Sequence, residues 1–289
     1  MPSGRAPVPG RATPAPAPLP GRATAAASPV PAVGGWHPVD WGCELLGTAL
    51  LLLGGLSAVV LDFGAGSPIA RAVPSHSLRL LLTGTLFGGC GALVTISPLG
   101  RRSGAHLNPA VTLAFWCHRH LRLPDLFGYV LSQAAGALAG TFAVQALWGH
   151  RASSVRDGLT FPGDGFGPLA ATGLEAAMTA LLVLTIFVFV SSPRTAHWTP
   201  LAATAVIAVL VWQGAPYTGT SLNPARSLGP AVVSGRFSDY WVYVAGPLGG
   251  ALLAAAVWVL IPLETLTAKL FHDERYRSVF ASTMPARRQ

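Results

Sequence analysis

Ser103-Gly104-Ala105-His106-Leu107-Asn108-Pro109-Ala110-Val111 returns further along the chain as Thr218-Gly219-Thr220-Ser221-Leu222-Asn223-Pro224-Ala225-Arg226. Each copy reads as a loop that opens a helix. Asn is a strong N-cap, and Pro suits the first helical position because its missing N–H would have been an orphan there. An Asn that caps through its side-chain oxygen keeps its NH2 group free to donate elsewhere. The apolar segments that follow, Val111 to about His118 and Ser227 to about Ser234, are only two to three turns long. At 1.5 Å per residue they cover roughly 12–15 Å, about half of a ~30 Å hydrocarbon core. Paired half-length helices in matching halves of a membrane chain point to one site at the bilayer midplane.

Two helix N-termini would converge at that site, each carrying about half a positive charge. Facing one narrow passage, they repel cations, protons included, while the amide NH2 groups donate to the oxygen of a passing neutral molecule. This chemistry suits a pore for water or small alcohols. It suits an enzyme poorly, because no nucleophile or base accompanies the asparagines.

The remainder of the chain agrees with a membrane setting. Half of its residues are hydrophobic, only 10% are charged, and mean hydropathy is positive. Gly and Ala are abundant, as close helix contact in lipid requires. Apolar spans are expected over about Asp40–Leu61, His76–Pro98, Leu123–Trp148, Pro168–Val190, Trp198–Gly214 and Asp239–Ile261. A polar, Gly-rich connection, 149–167, separates the halves. Each half reads as a Glu-containing helix, a helix, a half-helix and a helix. An odd number of full spans per repeat inverts the second copy against the first.

Arg101, Arg102, Arg119 and Arg122 cluster between spans two and three, and Arg194 lies between four and five. Arg5, Arg11 and Arg22 precede the first span, and Lys269, Arg275, Arg277, Arg287 and Arg288 follow the last. By the positive-inside rule both termini are cytoplasmic. The net charge of +8 is thereby absorbed by topology and anionic lipid, and no nucleic-acid partner is expected. Cys43, Cys90 and Cys117 lie in apolar surroundings and read as core fillers. The run Cys117, His118, His120 reads as part of a basic interfacial turn, with no metal and no cofactor expected.

The doubled Asn-Pro-Ala, the Arg after the second copy and the order of spans resemble the aquaporin, or major intrinsic protein, family, from about Asp40 to Pro262. The resemblance implies an all-α membrane protein, with six transmembrane helices and two re-entrant half-helices in an inverted repeat. It divides the chain into a disordered Pro/Ala-rich cytoplasmic tail (1–38), a channel domain (39–262, with repeats 40–148 and 168–261) and a basic cytoplasmic tail (263–289). It implies a multi-pass protein of the cell membrane that assembles as a homotetramer. It also implies passive passage of water and small neutral solutes, with no catalytic residues.

On these motifs Asn108, Pro109, Ala110, Asn223, Pro224 and Ala225 form the pore centre. Gly104, His106 and Gly219 line it with their neighbours' carbonyls. Glu44 and Glu175 are the acidic residues deep in spans, where an unpaired carboxylate costs several kcal/mol. The resemblance implies that each holds one re-entrant loop. Arg226 sits at the outer constriction. Counting from the motifs without gaps adds Gly88, Val211 and Thr220 to that filter. Strict water channels of the family place Phe and His where this chain has Gly88 and Val211, so the filter is expected to be wider and less polar. It would then pass glycerol, urea or small undissociated acids. One deleted residue in span two would instead put Phe87 there. Ser227 and Ala231, by contrast, match water channels rather than glycerol facilitators. Two other readings stand beside the channel. One is an inverted-repeat secondary transporter coupling protons through Glu44 or Glu175, and the other is a membrane scaffold with a closed pore.

Overall fold

The computed structural model describes residues 34–276 and 279–284. The segment 1–33, with Arg5, Arg11 and Arg22, lies outside the described residues, as do Arg277, Arg287 and Arg288.

Six helices are long and apolar enough to cross a membrane. They are α1 (Pro38–Phe63), α3 (His76–Ile96), α6 (Leu123–Trp148), α8 (Pro168–Val190), α9 (Thr199–Thr218, with a short 3-10 lead-in) and α11 (Val242–Val259). Between them lie the half-helices α5 (Pro109–Cys117) and α10 (Pro224–Ser234). Three short helices were not anticipated: α2 (Pro68–Ala72), α4 (Pro98–Ser103) and α7 (His150–Ser154).

The packing is that of an inverted repeat. α1 lies against α6 as α8 lies against α11, and α3 meets its counterpart α9 across the junction of the halves. Each half-helix packs on the last helix of the other repeat, α10 on α6 and α5 on α11, so the halves are interlocked. Small residues allow these approaches. A Cβ on Gly136 would sit 2.2 Å from the Leu45 carbonyl oxygen of α1, and one on Gly250 would sit 2.2 Å from the Ala176 oxygen of α8. These two clashes occupy matching places in the two repeats. Outward-facing Leu131, Phe142 and Leu147 on α6, with Leu252 and Leu253 on α11, present the apolar surface that lipid requires.

Leucine at Gly250 is therefore expected to destabilise the folded chain by at least the ~1–3 kcal/mol typical of overpacking. Alanine at Gly173, where nothing lies within 4 Å of the added Cβ, should leave it unchanged or slightly stabilised. Thermal unfolding in detergent, followed by size-exclusion recovery, distinguishes the two.

Candidate functional site

The two loops converge through their asparagines. Asn108 caps α5 by accepting from Ala110 N at 2.9 Å, and Asn223 caps α10 by accepting from Ala225 N at 3.0 Å and Arg226 N at 3.2 Å. Asn108 Nδ2 then donates to the Leu222 carbonyl and Asn223 Nδ2 to the Leu107 carbonyl, each at 2.8 Å. The loop tips are thus bonded to each other across the repeat axis. One N–H of each amide is engaged in this bond and the other remains for a solute. Both side chains line the same cavity.

The glutamates explain how two irregular loops survive at this depth. Glu44 accepts from His106 N (3.1 Å), Leu107 N (2.7 Å), Ser103 Oγ (2.7 Å) and Gln133 Nε2 (2.8 Å). Glu175 accepts from Ser221 N (2.9 Å), Leu222 N (2.9 Å) and Thr218 Oγ1 (2.7 Å). Both carboxylates are fully buried, and the N–H groups of the loop take up their lone pairs. Tyr129 and Tyr243 complete the frame, donating to the Ser103 and Thr218 carbonyls at 2.6 and 2.8 Å. The backbone is held in matching left-handed conformations, with φ of 55° at Ala105, 52° at Leu107, 48° at Thr220 and 58° at Leu222. Non-glycine residues adopt such angles only where surrounding bonds over-determine them. With N–H groups gathered on the glutamates, the loops turn their other side to the cavity, which His106, Leu107, Gly219 and Ser221 line.

That cavity, about 240 Å³, runs from Phe63 and Leu80 at one mouth to Thr95 and Leu270 at the other, past both asparagines. Its wall is largely apolar. Arg226 also lines it, its guanidinium held by a 2.7 Å bond from Nη1 to the Gly158 carbonyl. That carbonyl belongs to the connection between the repeats, read from sequence only as a polar, Gly-rich link. Val211 and Thr220 line the same cavity.

Two placements differ from the sequence reading. The ring beside Arg226 is Phe87, whose centroid lies 5.4 Å from the guanidinium carbon. Gly88 lines the cavity but its α-carbon faces the α3–α9 contact, where a Cβ would come within 2.9 Å of Thr204 Cα. Phe87 is seated by another small residue, since a Cβ on Gly55 would meet its ring at 2.5 Å. The second difference is Gly104. Its carbonyl accepts from Leu270 N at 3.0 Å, so this carbonyl is taken by the segment after the last span.

His106 is 3% exposed and sandwiched between Phe115 and Phe280, with ring centroids 5.0 and 5.3 Å away. No group of metal-ligating residues occurs among the described residues.

Comparison with known proteins gives the family. The family model described as Major intrinsic protein matches residues 41–258. The chain belongs to this family. Among curated major intrinsic proteins, it is 35% identical over 221 residues to the lens fiber major intrinsic protein of Gallus gallus, covering 75% of this chain and 79% of that one. It is 34% identical over 235 residues to aquaporin-6 of Mus musculus, at 75% and 78% coverage. With aquaporin NIP1-3 of Oryza sativa subsp. japonica it shares 33% over 249 residues, at 80% and 79% coverage. The aquaglyceroporin structure from Plasmodium falciparum superposes with a TM-score of 0.65 at 22% identity, covering 78% of this chain and 97% of that one. That likeness establishes the shared fold.

Proposed function

We propose that this major intrinsic protein is a passive channel for water and small uncharged solutes, with no reaction to catalyse. The observation that carries the reading is the crossed asparagine pair, which leaves one N–H per amide on the wall of a continuous apolar cavity. A single-file water entering this stretch must turn its oxygen to the two amides, because the apolar wall offers it little else. The N-termini of α5 and α10 add positive potential at the same point and disfavour protons and cations. Arg226 repeats that barrier at the outer constriction and supplies donors to a solute oxygen.

The competing proton-coupled transporter loses its chemistry. Glu44 and Glu175 would be its proton carriers, yet both are spent on the loop N–H groups.

Phe87 and Arg226 form two sides of the proposed filter, with Val211 and Thr220 completing it. An aromatic ring narrows this opening, and Val211 offers no hydrogen bond where an imidazole would. Water with slower passage of glycerol and urea is the expected order. Alanine at Phe87 is expected to raise glycerol uptake into proteoliposomes several-fold with little change in water flow. Unchanged glycerol uptake would remove Phe87 from the filter.

The proposed setting is a cell membrane, with both termini cytoplasmic. Supporting this, Arg102 pairs with Asp40 at the start of α1, and Arg101 pairs with Asp273 after α11. The basic cluster and both flanks of the channel domain therefore share one face. A homotetramer with one pore per subunit is proposed from family resemblance and the exposed apolar helix faces. Cross-linking in native membranes tests it.

A further inference from the structure

By composition 263–289 reads as a basic tail. Instead, Glu264–Tyr276 and Val279–Met284 lie across the mouth of the conduit opposite Arg226. The segment is anchored to itself and to the channel by backbone bonds. Thr283 N donates to Leu266 O (2.8 Å), Leu266 N to Val190 O (3.1 Å) and Ala281 N to His120 O (3.0 Å). At the mouth, Leu270 N takes the Gly104 carbonyl, and the Ala268 carbonyl accepts from His106 Nε2 at 2.9 Å. Phe280 fills the slot between His106 and Tyr129, with centroids 5.3 and 5.9 Å away. Lys269 is fully buried, its ammonium donating to the Arg101 carbonyl at 2.7 Å and the Tyr276 carbonyl at 3.1 Å. Burial lowers this amine to about 8, an effect that the nearby Asp40 and Asp273 carboxylates offset only in part.

The consequence for the pore lies in Leu270. It is buried, and it lines the cavity that both asparagines line. The two ends of the conduit are thus built alike. Outside, the connection between the repeats supplies Gly158 O to Arg226. Inside, this strap supplies Ala268 O to His106 and Leu270 to the wall.

We infer that 264–276 and 279–284 form a seated strap and that Leu270 forms a second constriction, which limits flux at the cytoplasmic mouth. This rests on the channel reading above. Held by hydrogen bonds and one aromatic plug, with no helix among its described residues, the strap is also the part of the mouth that can be unseated without breaking the bundle.

The test uses the full chain in proteoliposomes, with three single variants. Leu270→Ala widens the constriction and is expected to raise water flow about two- to fivefold, a barrier lowered by about 0.4–1 kcal/mol. Leu270→Trp is expected to lower it by at least as much. Phe280→Ala removes the plug, and should raise both water flow and trypsin cleavage at Arg275. Water flow above empty liposomes in the unaltered protein separates failure of this proposal from failure of the channel reading. Given that flow, Leu270 variants that conduct like the parent would overturn the second constriction. Phe280→Ala with unchanged cleavage and flow would overturn the seated strap. A parent chain that is silent until Leu270→Ala is introduced would support a fully closed mouth.

Discussion

Proteoliposomes carrying Glu175→Ala are expected to show water flow no higher than empty vesicles, with much less folded protein recovered. The carboxylate collects Ser221 N, Leu222 N and Thr218 Oγ1 in a site with no exposure. Each buried donor left without an acceptor costs about 1–3 kcal/mol. Three together cost several kcal/mol, a large share of the roughly 5–15 kcal/mol by which a folded chain is stable. Leu222, held in the left-handed region, also loses its bond to the carboxylate. The crossed asparagine bond to Leu222 O then loses its geometry, because that carbonyl moves with the loop. Glu44→Ala should behave alike through His106 and Leu107. Glu175→Gln keeps one good acceptor and adds an NH2 that faces donors, so it is expected to be intermediate. Wild-type water flow in Glu175→Ala would show that the loop is held by something other than this carboxylate.

Arg226→Val carries the second large effect, and it bears on selectivity rather than folding. The guanidinium is anchored to Gly158 O beside Phe87, on the wall of an apolar conduit. A fixed charge repels a cation about 5 Å away by roughly 3 kcal/mol at an effective dielectric constant of about 20. Its removal should raise proton or cation leak by about two orders of magnitude, less what the helix N-termini still contribute. Glycerol uptake should rise too, since valine is shorter and the ring of Phe87 is left without its partner. A pH-indicating dye trapped in the vesicles reads the leak, and light scattering reads the glycerol. The Gly158 carbonyl, left unpaired by this variant, faces water at the pore mouth and should cost little stability. An unchanged proton leak would place the barrier entirely at the asparagines.

Much of this arrangement was legible in the residues. The doubled motif specified the half-helices almost to the turn, because N-cap chemistry and Pro at N1 are local. The intramembrane glutamates stood out for the same reason that they matter: a buried carboxylate needs several partners, and the nearby loops had unpaired N–H groups. The filter register was less accessible. Counting from Asn108 to Gly88 assumes an unbroken path, yet Ser97-Pro98 ends α3 and starts a separate turn, α4. Neighbouring positions on a helix differ by about 100° in direction, so one residue of slack exchanges Phe87 for Gly88. Spacing alone cannot resolve this. The role of Gly158 was hidden because a backbone carbonyl carries no side-chain signature. The strap was hidden because its anchors are hydrogen bonds and ring contacts at long sequence separation and its composition reads as a charged tail. Lys269 in particular looked like a lipid-facing cation and is instead enclosed.

The scaffold role of the glutamates and the passive character of the pore stand or fall together. The most direct measurement is stopped-flow light scattering on proteoliposomes of the unaltered chain, with a pH-indicating dye trapped inside. The account expects osmotic water flow well above that of empty vesicles, with proton leak at the level of those vesicles. It also expects no accumulation of glycerol or urea when an inward proton gradient is imposed. Solute concentrated inside against its gradient, or protons that follow the water, would contradict it. Either result would return Glu44 and Glu175 from loop supports to proton carriers.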